Sequence, residues 1–395
     1  MERTVYLDHA ATTPLHPRAL DAMLPYLGAS FGNPSATYAL ARDAAAAVQR
    51  ARNTVAQLAG CRPNEIIFTG AGTESINTAI KGVAFQQKLA HAGNHIVTSS
   101  IEHHAVLHTC QYLERFGFEI TYLPVDRDGL VDPDAVARAM TARTVLVSIM
   151  TANNEAGTIE PIDEIAQAVR ARARQLGKRV PFHTDAVQAP NSMRIDFARR
   201  NVDLMSLAAH KFRGPKGMGV LYMRRGVPFL AQQNGGGQER QRRAGTENVA
   251  GIVATAEALR ITQEELDAYR VRVGGLAHEL WERVRASIPR AALNGHPEHR
   301  LINNVSASFE GADARDLLDD LDAAGIALSA GAACGATTLE PSHVLLAMGI
   351  SLERAAATLR FSLGHDTTSD DIDYVISRLP AIVEGSRSKR LAAAS

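Results

Sequence analysis

From about residue 35 to residue 228 the chain alternates between two hydrophobic periods. Apolar residues spaced three and four apart predict helices over 36–59, 73–90, 103–116 and 162–176. Between them lie short apolar runs that predict strands: "EIIFTG" (65–70), "NHIVTS" (94–99), "FEITYLPV" (118–125), "RTVLVSIMT" (143–151) and "RVPFHTDA" (179–186). Helices interleaved with such strands imply an α/β fold, a mainly parallel sheet covered by helices on both faces. Two further strand-like runs flank "HKFRGPKGMG" within 204–223. Beyond the loop "QNGGGQERQRRAGTEN", Tyr269, Val273, Leu276, Leu280, Val284 and Ile288 recur at helical spacing and predict a long connector into a second unit. That smaller α+β unit would hold "LINNVSASFE" (301–310), a helix over 312–324 and "ATLRFSLG" (357–364), and the polar tail "EGSRSKRLAAAS" is expected to fray. The expected division is a large domain over 14–260 and a small domain made of 1–13 with 261–395.

Composition narrows the class. With 42 basic and 42 acidic residues the chain has no net charge that would draw it to nucleic acid or a membrane surface. No apolar run approaches the roughly 20 residues of a membrane span. The opening "MERTVYLDHAATTP" lacks the pattern of a secretory signal, and the three cysteines, Cys61, Cys110 and Cys334, are odd in number and far apart. A cytoplasmic protein in a reducing compartment is expected.

Ligands of open parallel sheets bind outside the carboxyl ends of the strands, so residues just after each strand should carry the chemistry. Those residues are Gly72, Thr73 and Glu74; His103 and His104; Asn153, Asn154 and Glu155; Asp185 and Gln188; and His210 with Lys211. Any one of the short polar residues serves equally well as a helix cap. Capping accounts poorly for His103, Asp185 and Lys211. "TGAGTESIN" opens a helix after a strand and suits a phosphate at the helix N-terminus, but it matches neither nucleotide fingerprint. Lys211, 26 positions after Asp185, supplies the amine and carboxylate that pyridoxal 5'-phosphate requires: lysine condenses with the aldehyde and the acid keeps the ring nitrogen protonated.

Ten ordered stretches, "YLDHAATTP", "FGNPSATY", "FTGAGTESIN", "EHHAVL", "NNEAGT", "HTDAVQ", "HKFRGPKGMG", "RAGTEN", "SAGAACGATTLEPSHVLLAMG" and "LRFSLG", resemble the cysteine desulfurase family, within the class V aminotransferase group of fold-type I pyridoxal-phosphate enzymes. The cysteine-bearing segment is similar to that of the housekeeping and nitrogen-fixation branch. The resemblance implies that Lys211 binds the cofactor covalently, His103 stacks on its ring, Asp185 pairs with its nitrogen and Gln188 touches its phenolic oxygen. It gives the phosphate to Gly72, Thr73 and His210, with Thr246 reaching the opposite subunit of a homodimer, and gives the substrate carboxylate to Asn154 and Arg360. It makes L-cysteine the substrate, Cys334 the carrier of a persulfide, and an iron–sulfur scaffold, tRNA-thiolating enzyme or DNA sulfur-modification enzyme the acceptor. One departure is visible at Ala208, where the family often has a phosphate-binding serine.

Cys334 sits among small residues without apolar periodicity, which suits a thiol on a mobile loop. Cys61 and Cys110 read as packing residues. The rival readings are another class V activity, an aminotransferase or selenocysteine lyase, and a metal-binding module suggested by His104 and His108. The latter lacks both the H-E-x-x-H glutamate and a paired cysteine motif, so no metal is expected.

Overall fold

The computed structural model describes residues 4–330 and 341–394. In chain order the strands are β1 (Val5–Tyr6), β2 (Ile66–Thr69), β3 (His95–Ser99), β4 (Glu119–Leu123), β5 (Thr144–Ser148), β6 (Phe182–Asp185), β7 (Leu204–Ala208), β8 (Gly219–Met223), β9 (Ala291–Leu293), β10 (Asn304–Phe309), β11 (Ile326–Ala327) and β12 (Thr358–Ser362). Seven of them form one sheet in the order β2-β8-β7-β6-β5-β3-β4. The pairs from β7 through β6, β5 and β3 to β4 are parallel, while β8 runs antiparallel to both β7 and β2. The reason lies in the connection. The ten residues between β7 and β8, 209–218, are too few for the dozen or more that a parallel crossover needs, so β8 must turn back beside β7.

Strands β5, β6 and β7 are buried along their whole length; β5 and β7 are accordingly mostly apolar, while the polar His183 and Thr184 of β6 are satisfied by hydrogen bonds to Ser148, Ser206 and Thr151 of the neighbouring strands and the turn after β5. The helix Ala39–Ala59 covers this sheet with a small-residue face, Ala41, Ala44, Ala47, Val48, Ala51 and Val55, and ends where Gly60 takes the left-handed conformation at φ 70°. Helices Gly72–Leu89 and His104–Glu114 pack on another core against Ile67, Ile96 and Leu221.

A separate hydrophobic core joins the two ends of the chain. Val5 and Leu7 pack with Val273, Leu280, Phe309, Phe361 and Val375. Around it lie the antiparallel sheet β12-β10-β9, the short parallel pair β1-β11, and the helices Leu266–Ser287 and Ala314–Ala323. The expectation of a frayed tail is corrected here, because a helix runs from Ser369 to Ala394. Its polar residues point inward to carbonyls: Arg387 donates to Glu310 and Pro289, Arg390 donates to Ala312, and the buried Ser386 hydroxyl accepts from the Asp313 amide. Among the described residues no helix is long and apolar enough to cross a membrane.

Candidate active site

The five strand ends meet. Gly72, Thr73, His103, Asn154, Asp185, Gln188, His210, Lys211 and Arg360 line one cavity of about 360 Å³, within the range of small-molecule sites. Four of the five ends leave parallel strands or β7, and β12 adds Arg360 from the second core's sheet.

Lys211 lies in the single turn after β7. Its Nζ donates to the carbonyls of Ala10 at 2.6 Å and Ala11 at 2.8 Å. Burial and the nearby Arg360 cation lower its pKa to about 8, against the opposing pull of Asp8 and Asp185. Asp185 closes β6 at 5% exposure, and burial lifts its carboxyl to about 6 although the Val187 amide donates to Oδ1 at 2.9 Å. Gln188 Nε2 donates to the same Ala10 carbonyl at 3.1 Å.

The N-terminus of the helix Gly72–Leu89 also lines this cavity and has no side-chain cap, its Ala71 N-cap offering no acceptor. Free amides at a helix N-terminus are donors for an anion. The helix starts close against the sheet, since a Cβ on Gly72 would lie 2.8 Å from that of Ala208. His210 lines the same cavity, with Nδ1 3.2 Å from Thr12 Oγ1, and burial together with Lys211 and Lys216 lowers its pKa to about 4. His103 caps the helix His104–Glu114 by accepting from the Ala105 amide at 3.1 Å. Desolvation and Lys211 lower it to about 4; its exposure to the open cleft screens part of that effect.

Arg360 is 2% exposed. It donates from Nη1 to the Asn154 carbonyl at 3.0 Å and from Nη2 to Asp8 Oδ1 at 2.8 Å.

Of the remaining expected residues, one lines another cavity and one lies outside the described residues. Thr246 lines a different cavity, with Thr69, Gly70, Glu239 and Arg243. Its loop passes through Glu239, Arg240 and Gln241, all at positive φ (46°, 57°, 63°), and a strained turn of this kind persists only where its surroundings hold it. Here Glu239 takes a bidentate pair from Arg52, both bonds 2.7 Å, and Arg243 pairs with Glu74 at 2.9 Å. Cys334 lies outside the described residues. The other two cysteines are held as thiols by desolvation: Cys61 is pushed up to about 12, and the buried Cys110 is raised as well.

Sequence reasoning missed the segment Asp8–Thr12, which brackets Lys211, Gln188, His210 and Arg360. Most of its contribution comes from carbonyls that leave no side-chain signal; Asp8, a lone charge after the apolar "VYL", was the one legible mark. It also missed Glu102. This fully buried carboxyl accepts from Ser99 Oγ and the Met150 amide and is raised well above its ordinary pKa by desolvation.

A family model described as class V aminotransferase matches residues 5–375, and the chain belongs to that family. Within it the similarity is to cysteine desulfurases. The protein of that kind named IscS in Methanosarcina thermophila is 47% identical over 386 residues, covering 98% of this chain and 93% of its own length. Among solved structures, a NifS-like protein aligns with a TM-score of 0.90 at 35% identity, over 97% of this chain and 100% of that one. SspA in complex with cysteine aligns at 0.79 and 36% identity, over 91% and 99%.

Proposed function

We propose that the protein is a pyridoxal 5'-phosphate-dependent cysteine desulfurase, converting L-cysteine to L-alanine and a persulfide on Cys334. The observation that carries this reading is the Lys211 amine and the buried Asp185 carboxylate on one cavity that also receives the uncapped N-terminus of the helix Gly72–Leu89. That donor set suits a group with an aldehyde, a basic ring nitrogen and a phosphate. Lys211 would hold it covalently, Asp185 at the ring nitrogen, Gln188 at the phenolic oxygen, and the Gly72 amide, Thr73 and His210 at the phosphate. His103 would stack on the ring, and Thr246 would serve the partner subunit of a homodimer. When bound, the cofactor supplies a sink for the electron pair left at the substrate Cα.

The chain's own groups do the rest. Arg360 and Asn154 hold the substrate carboxylate, the planar guanidinium giving a two-point grip. With its pKa near 8, Lys211 is neutral in about a tenth of molecules at pH 7, so it can take the Cα proton once free. His103, neutral at that pH, is the second candidate base. The Cys334 thiolate attacks the substrate sulfur: the Cβ–S bond breaks, an S–S bond forms on Cys334, and protons returned to carbon complete alanine. A thiol and cysteine become a persulfide and alanine, so no external oxidant or reductant enters. The segment carrying Cys334 leaves the site's rim at both ends. Ser329 exchanges backbone hydrogen bonds with Arg360, and Ser342 donates to Glu155, which lines the cavity. Cys334 lies five positions beyond Ser329, a reach of up to about 17 Å.

We also propose a cytoplasmic location, the division into 14–260 and 1–13 with 261–395, supported by the separate core that unites the chain ends, and delivery of sulfur to an iron–sulfur scaffold, a tRNA-thiolating enzyme or a DNA sulfur-modification enzyme. Borohydride reduction of the holoenzyme followed by peptide mapping tests the central reading. The cofactor's mass should be found on the Lys211 peptide and be absent from Lys211→Ala; attachment at another lysine, or none, overturns it.

A further inference from the structure

The Arg360 guanidinium has five N–H donors and spends them unevenly. One goes from Nη1 to the Asn154 carbonyl and one from Nη2 to Asp8, while Nε is buried with no partner among the described residues. The Asp8 carboxylate is held in place by its backbone. It follows β1, bridges to Ser362 of β12, and its carbonyl accepts from the Tyr6 hydroxyl and the Ala11 amide. A second carboxylate arriving in the cavity therefore meets an arginine already partly neutralised by a carboxylate of the protein.

We propose that Asp8 is a built-in stand-in for the substrate carboxylate: it occupies Nη2 of Arg360 in the free enzyme, shares or yields that donor when substrate enters, and so sets the affinity for carboxylate-bearing ligands. This rests on the reading of Arg360 as the carboxylate anchor. A buried guanidinium with an idle N–H is strongly unfavourable if left wholly unpaired, which gives the stand-in a physical purpose before substrate binds. The same contact sets a limit, because every carboxylate ligand competes with Asp8.

Calorimetric titration of the holoenzyme with two probes tests this. L-Alanine carries the amine and the carboxylate, and cysteamine carries the amine and thiol without the carboxylate. Asp8→Asn, similar in shape but uncharged, should bind L-alanine about tenfold more tightly, the scale of one charge-assisted hydrogen bond released from competition. Cysteamine affinity should not change. Arg360→Gln should weaken L-alanine alone, and the Asp8→Asn/Arg360→Gln pair should match Arg360→Gln, since Asp8 acts through Arg360. If Asp8→Asn weakens L-alanine, or shifts cysteamine by the same factor, Asp8 is not a stand-in although Arg360 remains the anchor. If Arg360→Gln leaves L-alanine binding intact, the reading of Arg360 falls and the proposal with it. Asp8→Ser serves as a second variant, with the same expectation, should Asp8→Asn fail to fold.

Discussion

A carboxylate held ready for a cationic ring should strain the protein until that ring arrives, and Asp185 permits a quantitative test. Its folded pKa is about 6 against an ordinary 3.8. Below 3.8 the folded and unfolded carboxyls are both protonated, so the site contributes nothing to the pH dependence of stability. Between 3.8 and 6 the folded protein retains a proton that the unfolded chain has released, so stability falls as pH rises; above 6 the full penalty is present. At 1.36 kcal/mol per pKa unit the penalty is about 3 kcal/mol at pH 7.5 and about half of that at pH 5. Asp185→Asn keeps an oxygen for the Val187 amide and removes the buried charge. The cofactor-free variant should therefore resist urea better than the cofactor-free parent, by about 3 kcal/mol at pH 7.5 and visibly less at pH 5. The same substitution should lower turnover of L-cysteine at least about a hundredfold, the scale of losing one preorganised electrostatic partner. Equal urea stability at both pH values, or a variant weaker at pH 7.5, would refute the idea that Asp185 is a charge buried in advance of its partner.

Two other substitutions separate structure from chemistry. Glu239→Ala leaves Arg52 buried and unpaired, where the two side chains are now 2% and 5% exposed; thermal or urea unfolding should show a loss of about 3–5 kcal/mol, with Glu239→Gln much milder. Ala208→Ser restores a hydroxyl to the cavity wall beside Gly72 and should slow cofactor release in dialysis by about two- to tenfold, one hydrogen bond's worth.

The parts of the site legible in the sequence were those where chemistry and topology coincide. Asp185 and Lys211 stand out because each sets a charge at the end of a buried strand, at the sheet edge where parallel folds bind ligands. Asp8–Thr12 was hidden because it acts through the Ala10 and Ala11 carbonyls and joins the site only through pairing of residues far apart in sequence, such as Asp8 with Ser362. The turn at Glu239–Gln241 was hidden for another reason: its left-handed backbone contains no glycine, so only the buried pair with Arg52 reveals that it is fixed. The last helix was misjudged because Ser386, Arg387 and Arg390 read as solvated, while Ser386 accepts from the Asp313 amide and the two arginines donate to carbonyls of distant segments.

The central claim is that sulfur leaves L-cysteine for a thiol of this chain. The most direct measurement incubates holoenzyme with limiting L-cysteine and no acceptor, counts alanine formed, and maps the added sulfur by peptide mass. One persulfide on Cys334 for each alanine formed, with both lost in a Cys334→Ser variant that still binds cofactor, is the predicted result. Undiminished alanine formation by that variant, or the sulfur found on Cys61 or Cys110, would contradict it.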